Sequence, residues 1–294
     1  MPVSGNCFFG REQVSGRFRG SRAITNSLIP LPYREKYGTL GRVKLEHSVE
    51  PLSEVRQRFA KSRLYLCVDA RRHLDDDRPG YPSLRQLAEE VCAGGCDIIQ
   101  LRDKNSLGEK QFGKMSITEQ LEALAVLRDV THKYGKLFAV NDRVDLAIAA
   151  GADVCHVGQD DIPTDIARTM LGEDVILGLS CHSPEQVDAA IHNHSIDYFC
   201  TGPIWPTPTK PGRPAAGLEL VRYAAAHTTL PDGTEHAAGE VPQTMPWFAI
   251  GGVNEATAPE VIAAGAQRIV VVRALTEADD PTAAARALRT ITEA

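Results

Sequence analysis

The chain has 294 residues, 43% of them hydrophobic and 24% charged, with a formal net charge of −6. That is an ordinary globular composition, with room for two average domains or one α/β barrel of ~250 residues. No apolar run approaches the ~20 residues a membrane helix needs, and the acidic balance argues against a nucleic-acid partner.

The N-terminal stretch differs from the rest. Residues 1–44 carry eight Lys/Arg against only Glu12 and Glu35, with poor periodicity. A transit peptide is one reading, since such segments are Arg-rich and acid-poor. No amphipathic helix is evident, so residues 1–50 are expected to form a disordered, non-essential extension to a catalytic domain over 51–294. The seven cysteines (Cys7, Cys67, Cys92, Cys96, Cys155, Cys181 and Cys200) match no zinc spacing. Cys92 and Cys96 flank Ala93-Gly94-Gly95 and read as small buried residues near a helix end. Reduced thiols and the lack of a signal peptide lead to a cytoplasmic expectation.

From Arg63 onward, short β-type runs alternate with helix-like segments. The predicted strands are LYLCV (64–68), DIIQL (97–101), LFAVN (137–141) and VCHVG (154–158). VILGLS (175–180), DYFCT (197–201), WFAIG (247–251) and RIVVV (268–272) follow. Between them lie segments rich in Ala, Leu, Glu and Arg, such as SLRQLAEEVCAGG and TEQLEALAVLRDVTHKYG. Gly after AAG-type ends suits a left-handed cap, and Pro281 suits the first turn of the last helix. Eight such units predict a (β/α)8 TIM barrel. A doubly wound sheet would place a Gly-rich turn after the first strand, where this chain has VDARRHLDDDRPG. The segment 106–116 is a candidate lid, and 230–244 a polar surface loop.

A barrel's active site lies at the C-terminal ends of its strands. In an extended strand alternate side chains share a face, so Gln100, Arg102 and Lys104 lie together. The third strand delivers Asn141 and Asp142; the fourth, Gln159, Asp160 and Asp161; the fifth, Ser180, Cys181 and His182. The sixth is followed by TGPIWPTPTKPG with Thr207, Pro208, Thr209 and Lys210. The seventh ends in Gly251-Gly252 and the eighth in Val272 and Arg273. Cations facing carboxylates suggest a phosphorylated ligand with a divalent metal. Mg²⁺ takes one or two carboxylates plus phosphate oxygens, so Asp142 and Asp161 are candidate ligands. The competing reading makes each a helix N-cap. Arg102 and Lys104 are otherwise surface ion pairs with Asp103 or Glu109, and Lys210 an exposed loop lysine. Gly251-Gly252 admits an anion close to backbone N–H groups, or is a plain turn. His156 reads as structural, and Cys181-His182 is not read as a catalytic pair.

QLRDK, VNDR, HVGQDD, PTPTKPG and AIGG, in this order and spacing, resemble the thiamine phosphate synthase family from Arg63 to Glu293. SLGEKQFGKMSITEQ and RIVVVRALT are similar to its actinobacterial branch. The resemblance implies a transferase of thiamine biosynthesis. It would join the pyrophosphate ester of 4-amino-5-hydroxymethyl-2-methylpyrimidine to 4-methyl-5-(2-phosphoethyl)thiazole, or its carboxylated form, releasing pyrophosphate. By that resemblance Gln100, Leu101, Arg102, Asp103, Lys104 and Asn141 bind the pyrimidine pyrophosphate. Asp142 and Asp161 hold Mg²⁺, and Ser180 and Lys210 complete the pocket. Thr207, Pro208, Thr209, Gly252, Val272 and Arg273 meet the thiazole phosphate, and Arg102, Lys104, Ser180 and Lys210 act catalytically. Family members often carry Ser where Arg273 stands, so a backbone contact is expected there. Two alternatives stay open: a thiazole tautomerase-like isomerase and a non-catalytic barrel that binds a precursor. Small-molecule partners are expected, with no nucleic acid or membrane; a homo-oligomer is compatible.

Overall fold

Eight short parallel strands close into a barrel in strict sequence order. They are β1 Leu64–Val68, β2 Ile98–Leu101, β3 Leu137–Asn141, β4 Val154–Val157, β5 Ile176–Cys181, β6 Tyr198–Thr201, β7 Trp247–Ile250 and β8 Ile269–Val271. The last strand pairs with the first, Tyr65 opposite Val270. The computed structural model describes residues 52–72, 80–207, 214–228 and 245–294. The expected extension over 1–50, the loop 230–244 and residues Pro208, Thr209 and Lys210 lie outside the described residues. The predicted TIM barrel is the observed fold. Among the described residues no helix is long and apolar enough to cross a membrane.

The strands read as apolar runs because both faces are covered. Leu64, Leu66 and Val68 of β1 join the layer between barrel and helices. Tyr65 and Cys67, one residue out of phase, point inside with Ile98, Leu137, Tyr198 and Phe248. The helices are α1 Leu52–Lys61, α2 Pro82–Ala93, α3 Leu107–Phe112, α4 Ile117–Lys133, α5 Val144–Ala150 and α6 Thr164–Leu171. They continue as α7 Pro184–Ile191, α8 Gly217–Thr228, α9 Ala258–Ala263, α10 Arg273–Thr276 and α11 Pro281–Glu293. Their ends follow ordinary capping chemistry. Ser116 and Glu119 form a reciprocal capping box on α4. Gly151 ends α5 with φ 66°, where a side chain would be strained. Pro281 opens α11 behind the Asp280 cap.

α1, which the sequence reading did not single out, lies over the bottom of the barrel. Val55 and Phe59, four apart and thus on one helix face, enter the interior cluster. The Phe59 ring centroid is 4.9 Å from that of Tyr198. Burying such a ring is worth about 2 kcal/mol.

At the same end, one acid stands at the foot of each of three even strands. Asp97, before β2, accepts the N–H groups of Arg63 and Leu64 at 2.8 and 3.1 Å. Asp153, before β4, accepts the Phe138 N–H at 2.8 Å. Asp197, before β6, accepts the Leu177 N–H at 2.8 Å and pairs with Arg56 and Arg168, each at 2.6 Å. Each acid satisfies a backbone donor on the preceding strand that the parallel ladder leaves open. The polar residues at the bottom therefore hold strands together.

Candidate active site

The C-terminal mouth opens into two lobes that share a wall of Ile250, Val270 and Val272. The first encloses about 280 Å³ and is lined by Gln100, Arg102, Lys104, Asn141, Asp142, Asp161 and Ser180 among others. The second encloses about 440 Å³ and is lined by Thr207, Gly251, Gly252, Val272 and Arg273 among others. The alternation expected for β2 holds: Gln100 points inside, 2% exposed, and Arg102 and Lys104 follow at the rim.

Two residues of the same motif face elsewhere. Leu101 packs outward into the helix layer. Asp103 is held by Arg71 at 2.6 Å and by the Ser106 hydroxyl at 2.9 Å. Arg71 also donates to Gly113 O at 2.9 Å. Gly108 packs so tightly on Arg71 that an added Cβ would lie 2.5 Å from its backbone oxygen. The segment expected as a lid is thus helix α3, capped by Ser106 and fastened to the end of β1 by Arg71.

The carboxylates are free of helix capping. α5 begins behind Arg143 and α6 behind Pro163, neither with a side-chain cap bond. Asp142 instead sits in left-handed backbone, φ 60°, its N–H on His156 O at 2.8 Å. Such a conformation is uncommon outside Gly and Asn, and it turns the carboxylate toward β4. Asp161 Oδ2 accepts the Gly158 N–H at 2.7 Å, an approach that a Cβ at Gly158 would obstruct. Burial pushes the Asp142 carboxyl above its ordinary range, and contact with Asp161 pushes it further. Lys104 opposes both from 2.8 Å. Two crowded carboxylates facing a cation form an oxygen-donor set that suits a hard divalent ion. Among the described residues no third His, Cys, Asp or Glu joins them, so phosphate oxygens or water would complete the shell.

The second lobe is built by close backbone approach. Gly251 and Gly252 have φ of 107° and 75°. A Cβ at Gly251 would sit 2.5 Å from Pro203 Cα, and one at Gly252 would sit 2.9 Å from Trp205 Cβ. The family model described as thiamine monophosphate synthase matches residues 64–275, the stretch that carries the first lobe and most of the second.

The chain belongs to the thiamine monophosphate synthase family.

Thiamine-phosphate synthase of Mycobacterium tuberculosis is 54% identical over 232 residues, covering 79% of this chain and 95% of that protein. The Mycolicibacterium smegmatis protein of that name is 52% identical over 233 residues, 79% of this chain and 93% of its own. The solved thiamine phosphate pyrophosphorylase from Pyrococcus furiosus superposes with a TM-score of 0.61 at 29% identity, over 79% of this chain and 95% of that one.

In this member of the thiamine monophosphate synthase family, sequence reasoning missed part of the floor. Tyr65, Cys67, His156 and Cys200 line the first lobe from within the barrel. His156, read from sequence as structural, is within 2.9 Å of Ser180 Oγ and 3.0 Å of Tyr198 Oη. Strand parity carried a signal: Cys67 pairs with Gln100 and Asn141 with His156 across the ladder, and paired residues share a face. His182 also lines the lobe, its Nδ1 bonded to Gly202 O, while the adjacent Cys181 points away into the helix layer.

Proposed function

We propose that this chain is a thiamine phosphate synthase. It would join a 4-aminopyrimidine-methyl pyrophosphate to a phosphoethyl-thiazole, with or without the thiazole carboxylate, and release pyrophosphate. The observation that carries the reading is the pair of lobes with a common apolar wall. One lobe carries cations and a carboxylate pair; the other carries a Gly-Gly turn. That layout suits two phosphorylated substrates meeting at uncharged rings.

Loss of pyrophosphate from a carbon on an electron-rich aminopyrimidine leaves a stabilised cation, and the thiazole nitrogen attacks it. No protein nucleophile is needed. Arg102 and Lys104 meet the negative charge that grows on the departing pyrophosphate. Gln100, Asn141 and Ser180 orient the pyrimidine half, and Thr207, Gly252, Val272 and Arg273 receive the thiazole phosphate. By the family resemblance Lys210 would act on the pyrophosphate and Thr209 on the thiazole phosphate. Asp142 and Asp161 would hold Mg²⁺, which supplies charge neutralisation at the pyrophosphate. The shared wall of Ile250, Val270 and Val272 keeps water from the cation.

The test mixes both substrates with Mg²⁺ and follows pyrophosphate. Release that requires the thiazole phosphate supports the synthase. Isomerisation of a thiazole without pyrophosphate release supports the tautomerase. Binding without turnover leaves a precursor-binding barrel.

A further inference from the structure

A run of hydrogen bonds crosses the barrel beneath the first lobe and joins two residues that line it from opposite walls. Gln100 Nε2 lies 2.9 Å from Tyr65 Oη, and Tyr65 Oη lies 3.5 Å from Tyr198 Oη. Tyr198 Oη lies 3.0 Å from His156 Nδ1, and His156 Nε2 lies 2.9 Å from Ser180 Oγ. Every group in the run is buried. Gly178 makes room for it, since a Cβ there would lie 2.1 Å from the Tyr198 ring.

Proton counting gives the run a direction. Gln100 Oε1 accepts from Cys67 Sγ at 3.2 Å, which turns the amide nitrogen toward Tyr65. Tyr65 Oη accepts there and sends its own proton to Tyr198 Oη. Tyr198 sends its proton to His156 Nδ1. The imidazole proton then sits on Nε2 and points at Ser180 Oγ. With that amide orientation, the opposite polarity leaves the buried Tyr65 hydroxyl without an acceptor, which is costly. Ser180 is also fixed through its backbone, because Gln159 Nε2 donates to Ser180 O at 2.7 Å. Its hydroxyl proton is left facing the lobe.

The Ser180–His156 pair also has the spacing of a nucleophile and its base. The third member decides against that role. A serine triad needs a carboxylate behind the histidine to hold an imidazolium. Here the position belongs to Tyr198, a phenol that burial pushes well above its ordinary range.

We propose that His156 is a positioning residue: held as the Nε2–H tautomer by Tyr198, it makes the Ser180 hydroxyl a donor to an acceptor atom of the pyrimidine pyrophosphate. This rests on the first lobe taking that substrate.

Two measurements on the full chain test it. Nitrogen-15 NMR of histidine-labelled protein without ligand reads the tautomer directly, the His156 signals being assigned by their loss in His156→Gln. A bare Nδ1 and a protonated Nε2 are expected; a protonated Nδ1 overturns the proposal. Kinetics then compare His156→Gln, whose amide reaches as Nε2 does, with His156→Asn, which reaches only the Tyr198 side. The Gln variant should keep kcat within about threefold of wild type. The Asn variant should lose about 10–100-fold in kcat, as should Ser180→Ala, with KM for the thiazole phosphate unchanged. Equal losses in both variants at wild-type melting temperature overturn it. Should either misfold, Tyr198→Phe keeps the ring and removes the hydroxyl that donates to Nδ1; it should yield mixed tautomers and a lower kcat, and an unchanged tautomer and kcat overturn the proposal. A wild-type chain that releases no pyrophosphate sinks the synthase reading, whereas the tautomer measurement stands or falls alone.

Discussion

The Arg71 guanidinium holds the Asp103 carboxylate at 2.6 Å, with both side chains only about 5% exposed. Asp103 lies between Arg102 and Lys104, so fixing it outward turns its two neighbours toward the lobe. The same guanidinium reaches Gly113 O and lies over the Phe112 ring. Removing it would leave a buried, uncompensated carboxylate. Arg71→Ala is expected to cost about 3–5 kcal/mol in urea unfolding and to lower turnover as well. Replacing both partners with apolar residues of similar volume should recover much of the stability and little of the activity.

The Arg102 guanidinium donates to Lys104 O at 3.0 Å, and the residue lines the lobe. Arg102→Ala should therefore lower pyrophosphate release by about 10²–10³-fold with the melting temperature within error of wild type. Unchanged turnover would remove Arg102 from the proposed leaving-group site.

Much of this layout was legible because a parallel barrel strand is buried on both faces and reads as a plain apolar run. The eight runs fall within a residue or two of the observed strands. Differences fall at both ends; at the feet, Asp97 and Asp197 read as first strand residues but act as clamps beneath the ladder. Gln100, Arg102 and Lys104 were legible from parity alone. Asp103 was not, because its partner Arg71 lies on a different strand end. His156 and Tyr65 were hidden for a similar reason: a polar side chain inside a barrel is explained only by partners on distant strands. α1 was hidden because a ten-residue segment with few large apolar side chains carries little periodic signal beside a basic, irregular stretch.

Asp69, at the end of β1, is a carboxyl whose value is pushed up to about 6, first by burial and then by Asp103, against the pull of Arg102 and Arg72. The folded chain keeps this proton to higher pH than the unfolded chain does. Stability from this group is thus intact below about pH 4, falls as pH rises, and is fully lost above about pH 6. A rise from 3.8 to about 6 corresponds to at most roughly 3 kcal/mol. Asp69→Asn should raise the unfolding free energy at pH 7.5 and leave it unchanged near pH 3.5, both assessed relative to wild type. A gain of equal size at both pH values would assign the effect to something other than this proton.

Asp142 and Asp161 crowd two carboxylates at one edge of the lobe, and the fold tolerates this although neither serves as a helix cap. A structural role would make their charge stabilising. A role in holding a cation makes it costly until the cation arrives, because burial and mutual repulsion both oppose ionisation of Asp142. Asp142→Asn should therefore leave the melting temperature of the metal-free chain unchanged or raise it. The same variant should lose at least about 10²-fold in pyrophosphate release and should no longer respond to added Mg²⁺. Chelation of the wild-type chain with EDTA should abolish turnover reversibly without unfolding it. Mg²⁺-independent turnover by the wild type, or a large drop in stability for Asp142→Asn, would show that the pair is structural.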